Sequence, residues 1–71
     1  MTKTSIRKAL QRSAGGAEFV NIQQIKRCMG WGNDRTYETV KGLGFIRLGR
    51  TRQYDVDEVA AKIYEQTEVG A

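Results

Sequence analysis

A glycine-containing turn between two short amphipathic stretches constrains the fold of this chain more than any other feature. The turn is Gly30-Trp31-Gly32-Asn33, in which two glycines permit a positive φ or a close backbone approach. Apolar-facing side chains recur at helical spacing on both sides of it: Ile22, Ile25 and then Cys28 or Met29 before the turn, and Thr36, Val40 and Leu43 after it. Two helices of about eight residues joined by a four-residue turn match a helix-turn-helix in size and order.

Capping signals predict where these helices begin. Asn21 can cap the first helix while Gln24, three residues later, reaches back to it, which is the pattern of a capping box. Val20 and Ile25 stand where a hydrophobic staple would place them. Asn33 is the predicted cap of the second helix, although the same amide could instead read adenine.

A hairpin and a final helix complete the predicted domain. Phe45-Ile46-Arg47-Leu48 and Gln53-Tyr54-Asp55-Val56 flank the arginine-rich tip Gly49-Arg50-Thr51-Arg52. We expect four apolar residues to share the inward side of this hairpin, namely Ile46, Leu48, Tyr54 and Val56. Asp55, with Glu58 three residues later, is the predicted cap of the last helix.

The first eighteen residues are predicted to form a basic helix or arm that precedes the domain. Ile6, Ala9 and Leu10 are spaced for a short amphipathic helix from Thr2 to Arg12, capped by Thr4 or Ser5. The domain itself then spans residues 19–68. The predicted fold class is α+β: a small winged helix-turn-helix with a two-stranded hairpin as its wing and a C-terminal helix.

Composition excludes most enzyme chemistry. A chain of 71 residues makes at most one small domain, and it has no histidine and one cysteine, Cys28. Structural zinc sites, Ser/His/Asp triads and intramolecular disulfides are therefore excluded, and we predict no enzymatic activity, no metal and no cofactor. No apolar run approaches the length of a membrane helix and no signal peptide is evident, so a cytoplasmic, nucleoid-associated location in a bacterial host is expected.

Charge is divided unevenly along the chain. Residues 1–52 hold eleven basic and three acidic residues, a net charge of +8, whereas residues 53–71 hold one basic and five acidic, a net charge of −4. This asymmetry favours a polyanionic partner for the first three quarters of the chain, most simply double-stranded DNA. The alternative is a solvated surface that happens to be basic.

Candidate DNA contacts follow from placing the second helix in the major groove and the hairpin on the adjacent minor groove or its phosphates. Arg35 could bond guanine O6 and N7 together, and Glu38 could accept from a cytosine amino group; alternatively, these two residues pair with each other. The expected phosphate or minor-groove contacts are Thr39 and Lys41 of the second helix, Arg47, Arg50 and Arg52 of the hairpin, and Gln23, Lys26 and Arg27 of the first helix. Trp31 and Tyr54 are predicted core residues, with Tyr37 at the core edge.

The stretch from Phe19 to Ile63 resembles the recombination directionality factors called excisionases and the related MerR-type DNA-binding domains. The likeness lies in Phe19-Val20-Asn21-Ile22 at the start of the first helix, Gly30 after it and Tyr37 about seven residues later. The hairpin pattern Arg-x-Gly-Arg-x-x-x-Tyr is matched from Arg47 to Tyr54. The chain departs from the family at Gly32-Asn33-Asp34-Arg35, where members usually have Ser/Thr and Arg.

The resemblance implies a protein of a phage or mobile element that binds repeated sites, bends the DNA and directs a tyrosine recombinase toward excision. It implies the recombinase (an integrase) and neighbouring copies of the chain as further partners. A small MerR-like transcriptional regulator is the alternative within DNA binding. A module that binds another protein through its basic surface is the alternative from a different class.

Overall fold

From residue 22 onward the helices and strands follow one another in the predicted order, but the short strand at Phe19–Val20, which makes the predicted two-stranded hairpin part of a three-stranded sheet, was not predicted. The computed structural model describes the backbone of residues 2–70 and the side chains of residues 2–66. The helices are α1 (Lys3–Ser13), α2 (Ile22–Met29), α3 (Asn33–Val40) and α4 (Val56–Gly70), and the strands are β1 (Phe19–Val20), β2 (Phe45–Leu48) and β3 (Thr51–Asp55). The described residues thus form a small α+β fold with a three-stranded antiparallel sheet in the order β1-β3-β2.

The start of α2 confirms the predicted capping box. The Gln24 backbone N–H donates to Asn21 Oδ1 at 2.8 Å, and the Asn21 backbone N–H donates to Gln24 Oε1 at 2.9 Å. Val20 and Ile25, the predicted staple, are both fully buried in the core. Gly30 ends the helix with a φ of +70°, a conformation that favours glycine.

The prediction that Asn33 caps α3 is wrong. The extended residue before the helix is Gly32, so Asn33 is the first helical residue and its side chain is exposed. Thr36 reinforces this start, because its backbone N–H and its hydroxyl both donate to the Gly32 carbonyl. Thr36 and Val40 are buried as predicted, and Leu43 is half-buried just beyond the helix end.

The hairpin is confirmed, but its turn is tighter and its facing differs from the prediction. Leu48 pairs with Thr51 across the two-residue turn Gly49-Arg50, and Gly49 has a φ of +62°. Opposite residues of an antiparallel pair share a face, so Phe45 lies on the side of its partner Tyr54. Ile46 and Leu48 therefore point to the other side of the sheet, and they are exposed instead of facing inward.

The first helix shares the hydrophobic core of the chain. Ile6 and Leu10 of α1 are buried in one cluster with apolar residues of every other helix and of strands β1 and β3. Residues 1–18 thus include a packed part of this fold. The cap of α1 is Thr2, whose side chain accepts from the Ser5 N–H at 3.1 Å, and not Thr4 or Ser5 as predicted.

The start of α4 follows its predicted cap. Asp55 Oδ1 accepts from the Asp57 N–H at 2.7 Å and, more weakly, from the Glu58 N–H at 3.4 Å. Tyr54, a predicted core residue, and Val59 lie on either side of this cap and are both buried. Among the described residues, no helix combines the length and apolar character needed to cross a membrane.

A polar contact fastens α1 to the start of α4. Arg7 Nε donates to Asp57 Oδ1, and the Arg7 guanidinium also lies 3.7 Å from a carboxylate oxygen of Glu18. The hydrogen bond and charge of Asp57 raise the pKa of Arg7 above its ordinary value. A group with a raised pKa keeps its proton to higher pH, so this cation persists well above neutral pH.

Candidate nucleic-acid interface

An open groove runs between the start of α2, one flank of α3 and the tip of the β2–β3 hairpin. Gln23 lines it from α2, Tyr37 from α3, and Arg50 and Arg52 from the hairpin. The hairpin tip forms one side of this groove, and the start of α2 with Tyr37 forms the other. It unites residues that lie up to 31 positions apart in the sequence, from Asn21 to Arg52.

Three arginines give the hairpin its positive charge. Arg47 and Arg52 are directly opposite on neighbouring strands and so share the face that bears Tyr54, while Arg50 stands in the turn. The Arg52 guanidinium carbon lies 4.6 Å from the centroid of the Phe45 ring. No ion pair joins these three arginines to a described carboxylate. Their charge is therefore available to an external anion.

Arg35 lies on the flank of α3 that faces away from the hairpin. Residues two positions apart on a helix are separated by about 200°, so Arg35 and Tyr37 point to opposite flanks. Arg35 shares a shallow hollow with Glu38 and with Gln66 of α4. It forms no ion pair with Glu38, and its guanidinium carbon instead lies 4.9 Å from the centroid of the Trp31 ring. The ion pair between Arg35 and Glu38, which was the alternative to base contacts, is thus absent from the structure.

The outward face of α3 carries charges of both signs. Asp34 and Glu38 are exposed one turn apart, and Asn33 is exposed at the start of the helix. Lys41 follows the helix and lines a hollow with Glu38 and Arg52, next to the hairpin groove. Carboxylates repel phosphates but accept hydrogen bonds from cytosine amino groups. This face therefore suits base edges better than the sugar-phosphate backbone.

Thr39 does not fit the phosphate contact predicted for it. Its side chain is buried, and its hydroxyl donates to the Arg35 carbonyl at 2.9 Å and lies 3.3 Å from Gln66 Oε1. Because the helical rotation from Thr36 to Thr39 keeps both near the same face, the two threonines point inward together. Thr39 joins α3 to α4 and is withdrawn as a DNA contact.

The structure separates the three DNA contacts that were predicted on α2. Gln23 lines the groove, whereas Lys26 and Arg27 lie in the last turn of α2, outside the groove lining. Cations in a last turn interact favourably with the exposed carbonyls of a helix end, which gives Lys26 and Arg27 a local role. Of the three, Gln23 alone is brought together with the hairpin arginines.

Tyr37 is the groove residue that the sequence prediction misplaced. It was expected at the core edge, but it is 53% exposed and lies beside Arg52 on the hairpin side of α3. The signal that could have found it is its position one residue, or about 100°, from the fully buried Thr36. Trp31 is half-buried against the core, and Tyr54 is buried as predicted.

Cysteine and carboxylate side chains are the groups among the described residues that could take part in metal chemistry. Cys28 is a free, half-buried thiol packed against the core. Within the part of the chain that the structure describes, no three His, Cys, Asp or Glu side chains are grouped to hold a metal ion.

No protein-family model, no curated protein and no solved structure matches the chain.

Proposed function

We propose that this chain is a winged helix-turn-helix protein that binds double-stranded DNA in a sequence-dependent manner. In this proposal α3 enters the major groove, and the β2–β3 hairpin contacts the adjacent minor groove or its phosphates. The observation that carries it is the set of three hairpin arginines, Arg47, Arg50 and Arg52, none of which forms an ion pair with a described carboxylate; Arg50 and Arg52 line the groove beside α2 and α3.

The dimensions of the two elements suit such a complex. Eight residues of α-helix are about 12 Å long, and a helix of ordinary diameter fits the major groove, which is about 12 Å wide. The narrow two-residue turn presents Arg50 at the end of the hairpin. Arginines inserted into a narrow minor groove meet its enhanced negative potential.

Base reading is assigned to the exposed side chains of α3. Arg35 can bond guanine O6 and N7 at once, Glu38 can accept from cytosine N4, and Asn33 can bond adenine N6 and N7. Orientation is assigned to the groove and its surroundings, where Gln23 and Lys41 accompany the hairpin arginines. Lys26 and Arg27 lie in the last turn of α2, outside the groove lining.

The biological role proposed is that of an excisionase of a phage or mobile element, which bends attachment-site DNA and directs a tyrosine recombinase toward excision. The resemblance of the stretch from Phe19 to Ile63 to excisionases supports this role. The two helices, the hairpin and the final helix also follow one another in the order that this resemblance implies. A protein that grips DNA by a helix and a hairpin at once can hold a bent duplex, because the bend permits both sets of contacts. The recombinase and neighbouring copies are the proposed partners.

The first test is in vitro selection of duplexes from a randomised pool, followed by titration of the selected and scrambled duplexes at two salt concentrations. Tighter, salt-sensitive binding to the selected duplex is expected. Arg50→Ala should weaken binding to both duplexes, whereas Arg35→Ala should mainly reduce the difference between them. Failure to enrich any sequence, with equal binding to all duplexes, would overturn sequence-dependent recognition.

The excision role has its own test. An excision assay would combine the protein with the recombinase encoded beside its gene and a substrate carrying the selected sites. Recombination that depends on the protein supports the role. Binding to the selected duplex without any effect on recombination, but with repression of the adjacent promoter, would replace it with the regulator.

A further inference from the structure

Strand β2 leaves one long edge of the sheet open. The sheet order is β1-β3-β2, and the opposite edge strand, β1, has two residues. Phe45, Ile46 and Leu48 of β2 are 45%, 48% and 63% exposed. An exposed apolar edge strand is a template for pairing with another strand, and proteins usually protect such edges. Arg47 is the single charge in β2.

We propose that β2 pairs antiparallel with β2 of a second copy when both copies are bound to one DNA duplex. The pairing is centred on Ile46 and extends two three-stranded sheets into one of six strands. This inference rests on the proposed DNA-binding function and adds to it the strand through which neighbouring copies make contact and their arrangement on DNA.

The hydrogen-bonding direction of β2 selects this register. In a two-residue hairpin the residues flanking the turn exchange backbone hydrogen bonds, so Leu48 and Ile46 direct their polar backbone groups toward β3. Phe45 and Arg47 consequently direct theirs to the open edge. Centring the pair on Ile46 places each Phe45 opposite the other copy's Arg47, and these two hydrogen-bonded pairs supply four backbone hydrogen bonds.

Side-chain chemistry favours the same register. Arg47 of one copy would stand opposite Phe45 of the other, and the contact of Arg52 with Phe45 at 4.6 Å shows that this ring accepts a guanidinium within one copy. The Ile46 side chains would meet across the axis on the apolar face. A register centred on Arg47 would instead oppose two like charges, which is destabilising. The strand is therefore complementary to itself in one register, which is the reason for choosing a second copy as the occupant.

The contact should form on DNA and not in free solution. Four residues per copy bury far less than the roughly 1,000 Å² expected of a stable interface. Two copies with a formal net charge of +4 each also repel one another. A duplex offsets that charge and raises the effective concentration of one copy beside the other.

A two-fold axis through Ile46, perpendicular to the sheet, leaves the Arg47 and Arg52 side chains of both copies on one side of the joined sheet. Both hairpins can then address one duplex. Such symmetry requires inverted half-sites, with the hairpins toward each other and the α3 helices outside. Binding to inverted half-sites should be cooperative, and binding to a single half-site should not.

Disulfide trapping tests the register directly. Ile46→Cys, in a Cys28→Ala background, places two thiols in a non-hydrogen-bonded pair whose Cα atoms are about 4.5 Å apart, within disulfide range. Leu48→Cys is the matched control, because it is on the same strand and face and is more exposed. In the proposed register its two copies are separated by about four residues, or roughly 14 Å. The probe is the duplex selected with the wild-type protein, under mild oxidation.

The expected result is a covalent dimer of Ile46→Cys on the selected duplex, at a rate at least about tenfold above that of Leu48→Cys and above that without DNA. Similar rates for the two variants, or no dimer although both bind the duplex, would overturn the pairing and leave DNA binding intact. Absence of any selectable duplex would instead defeat the proposed function and the pairing with it. Circular dichroism of both variants checks that each retains the fold.

Discussion

The guanidinium carbon of Arg35 lies 4.9 Å from the centroid of the Trp31 ring. Trp31 belongs to the turn between α2 and α3 and is half-buried against the core, whereas Arg35 is exposed in the first turns of α3. A cation over a tryptophan face at an exposed site is stabilised by about 0.5–1 kcal/mol. The ring therefore restricts the directions that the Arg35 guanidinium adopts.

Trp31→Leu should lower the sequence discrimination that depends on Arg35. Loss of about 0.5–1 kcal/mol corresponds to a change of roughly two- to fivefold in the affinity ratio between selected and scrambled duplexes. Trp31→Phe, which keeps an aromatic face, should retain more of the ratio. Titrations of each variant with and without Arg35→Ala complete a double-mutant cycle. A ratio unchanged by Trp31→Leu would show that the stacked conformation has no part in recognition.

The hairpin arginines should account for much of the salt dependence of binding. Each phosphate contact removed lowers the slope of log K against log[salt] by about 0.9 on duplex DNA. Arg50→Ala and Arg52→Ala should each reduce the slope by an amount of this order, whereas the control Lys62→Ala on α4 should not. Titrations of a scrambled duplex from 50 to 200 mM salt, roughly the range over which such effects are large, measure it. Equal slopes for all three variants would remove the hairpin from the interface.

Tyr37→Phe isolates the hydroxyl of the exposed groove tyrosine. The phenol can donate to a phosphate oxygen beside Arg52, and a hydrogen bond to a charged group is worth about 1.5–3 kcal/mol. Affinity for all duplexes should fall by roughly ten- to a hundredfold, while thermal unfolding stays nearly unchanged because the side chain is largely exposed. A Tyr37→Phe protein that binds as tightly as wild type would assign Tyr37 to the surface alone.

Local signals in this sequence predicted helix starts well where the side chain itself makes the hydrogen bond. Asn21 and Asp55 both accept from the expected backbone donors, so their capping depends on residues within three positions. The predicted cap at Asn33 was wrong because the preceding residue, Gly32, is the extended residue before the helix, and no side chain caps the helix there. The hairpin turn was predicted to have four residues, Gly49 to Arg52, but the pairing of Leu48 with Thr51 between β2 and β3 leaves only Gly49 and Arg50 in it.

The candidate site was less predictable because it depends on which side of the sheet, or which flank of a helix, each side chain occupies. The two-residue turn fixed which side of the sheet each residue of β2 occupies, and so exposed Ile46 and grouped Arg47 with Arg52. Thr39 was expected to be exposed and is buried, whereas Tyr37 was expected at the core edge and is exposed. The packing of α3 against α4, where the Thr39 hydroxyl contacts Gln66, decides which of these two side chains is buried. Those contacts join distant parts of the chain, which spacing within one helix does not reveal.

Asn21→Ala should destabilise the protein through loss of the cap alone. Such substitutions cost about 1 kcal/mol, and for a domain of this size that lowers the melting temperature by roughly 4–8 °C. The N–H of Gln24 would lose its acceptor at 2.8 Å. Asn33→Ala is the control, because its side chain caps nothing and the melting temperature should change by much less. Equal shifts in the two variants, measured by calorimetry, would contradict this account of the helix starts.

Leu10→Ala tests whether α1 is a structural part of the domain. Leu10 is fully buried in the shared core, and replacing a buried leucine by alanine costs about 2–5 kcal/mol. A 71-residue chain is expected to have only about 4–11 kcal/mol of stability, so much or all of it should be lost. Lys8→Ala, exposed on the same helix, should have little effect. Chemical denaturation of both variants provides the measurement. If Leu10→Ala unfolded at the same denaturant concentration as wild type, α1 would be an appended arm, and a chain that begins at residue 19 should then fold and bind DNA without it.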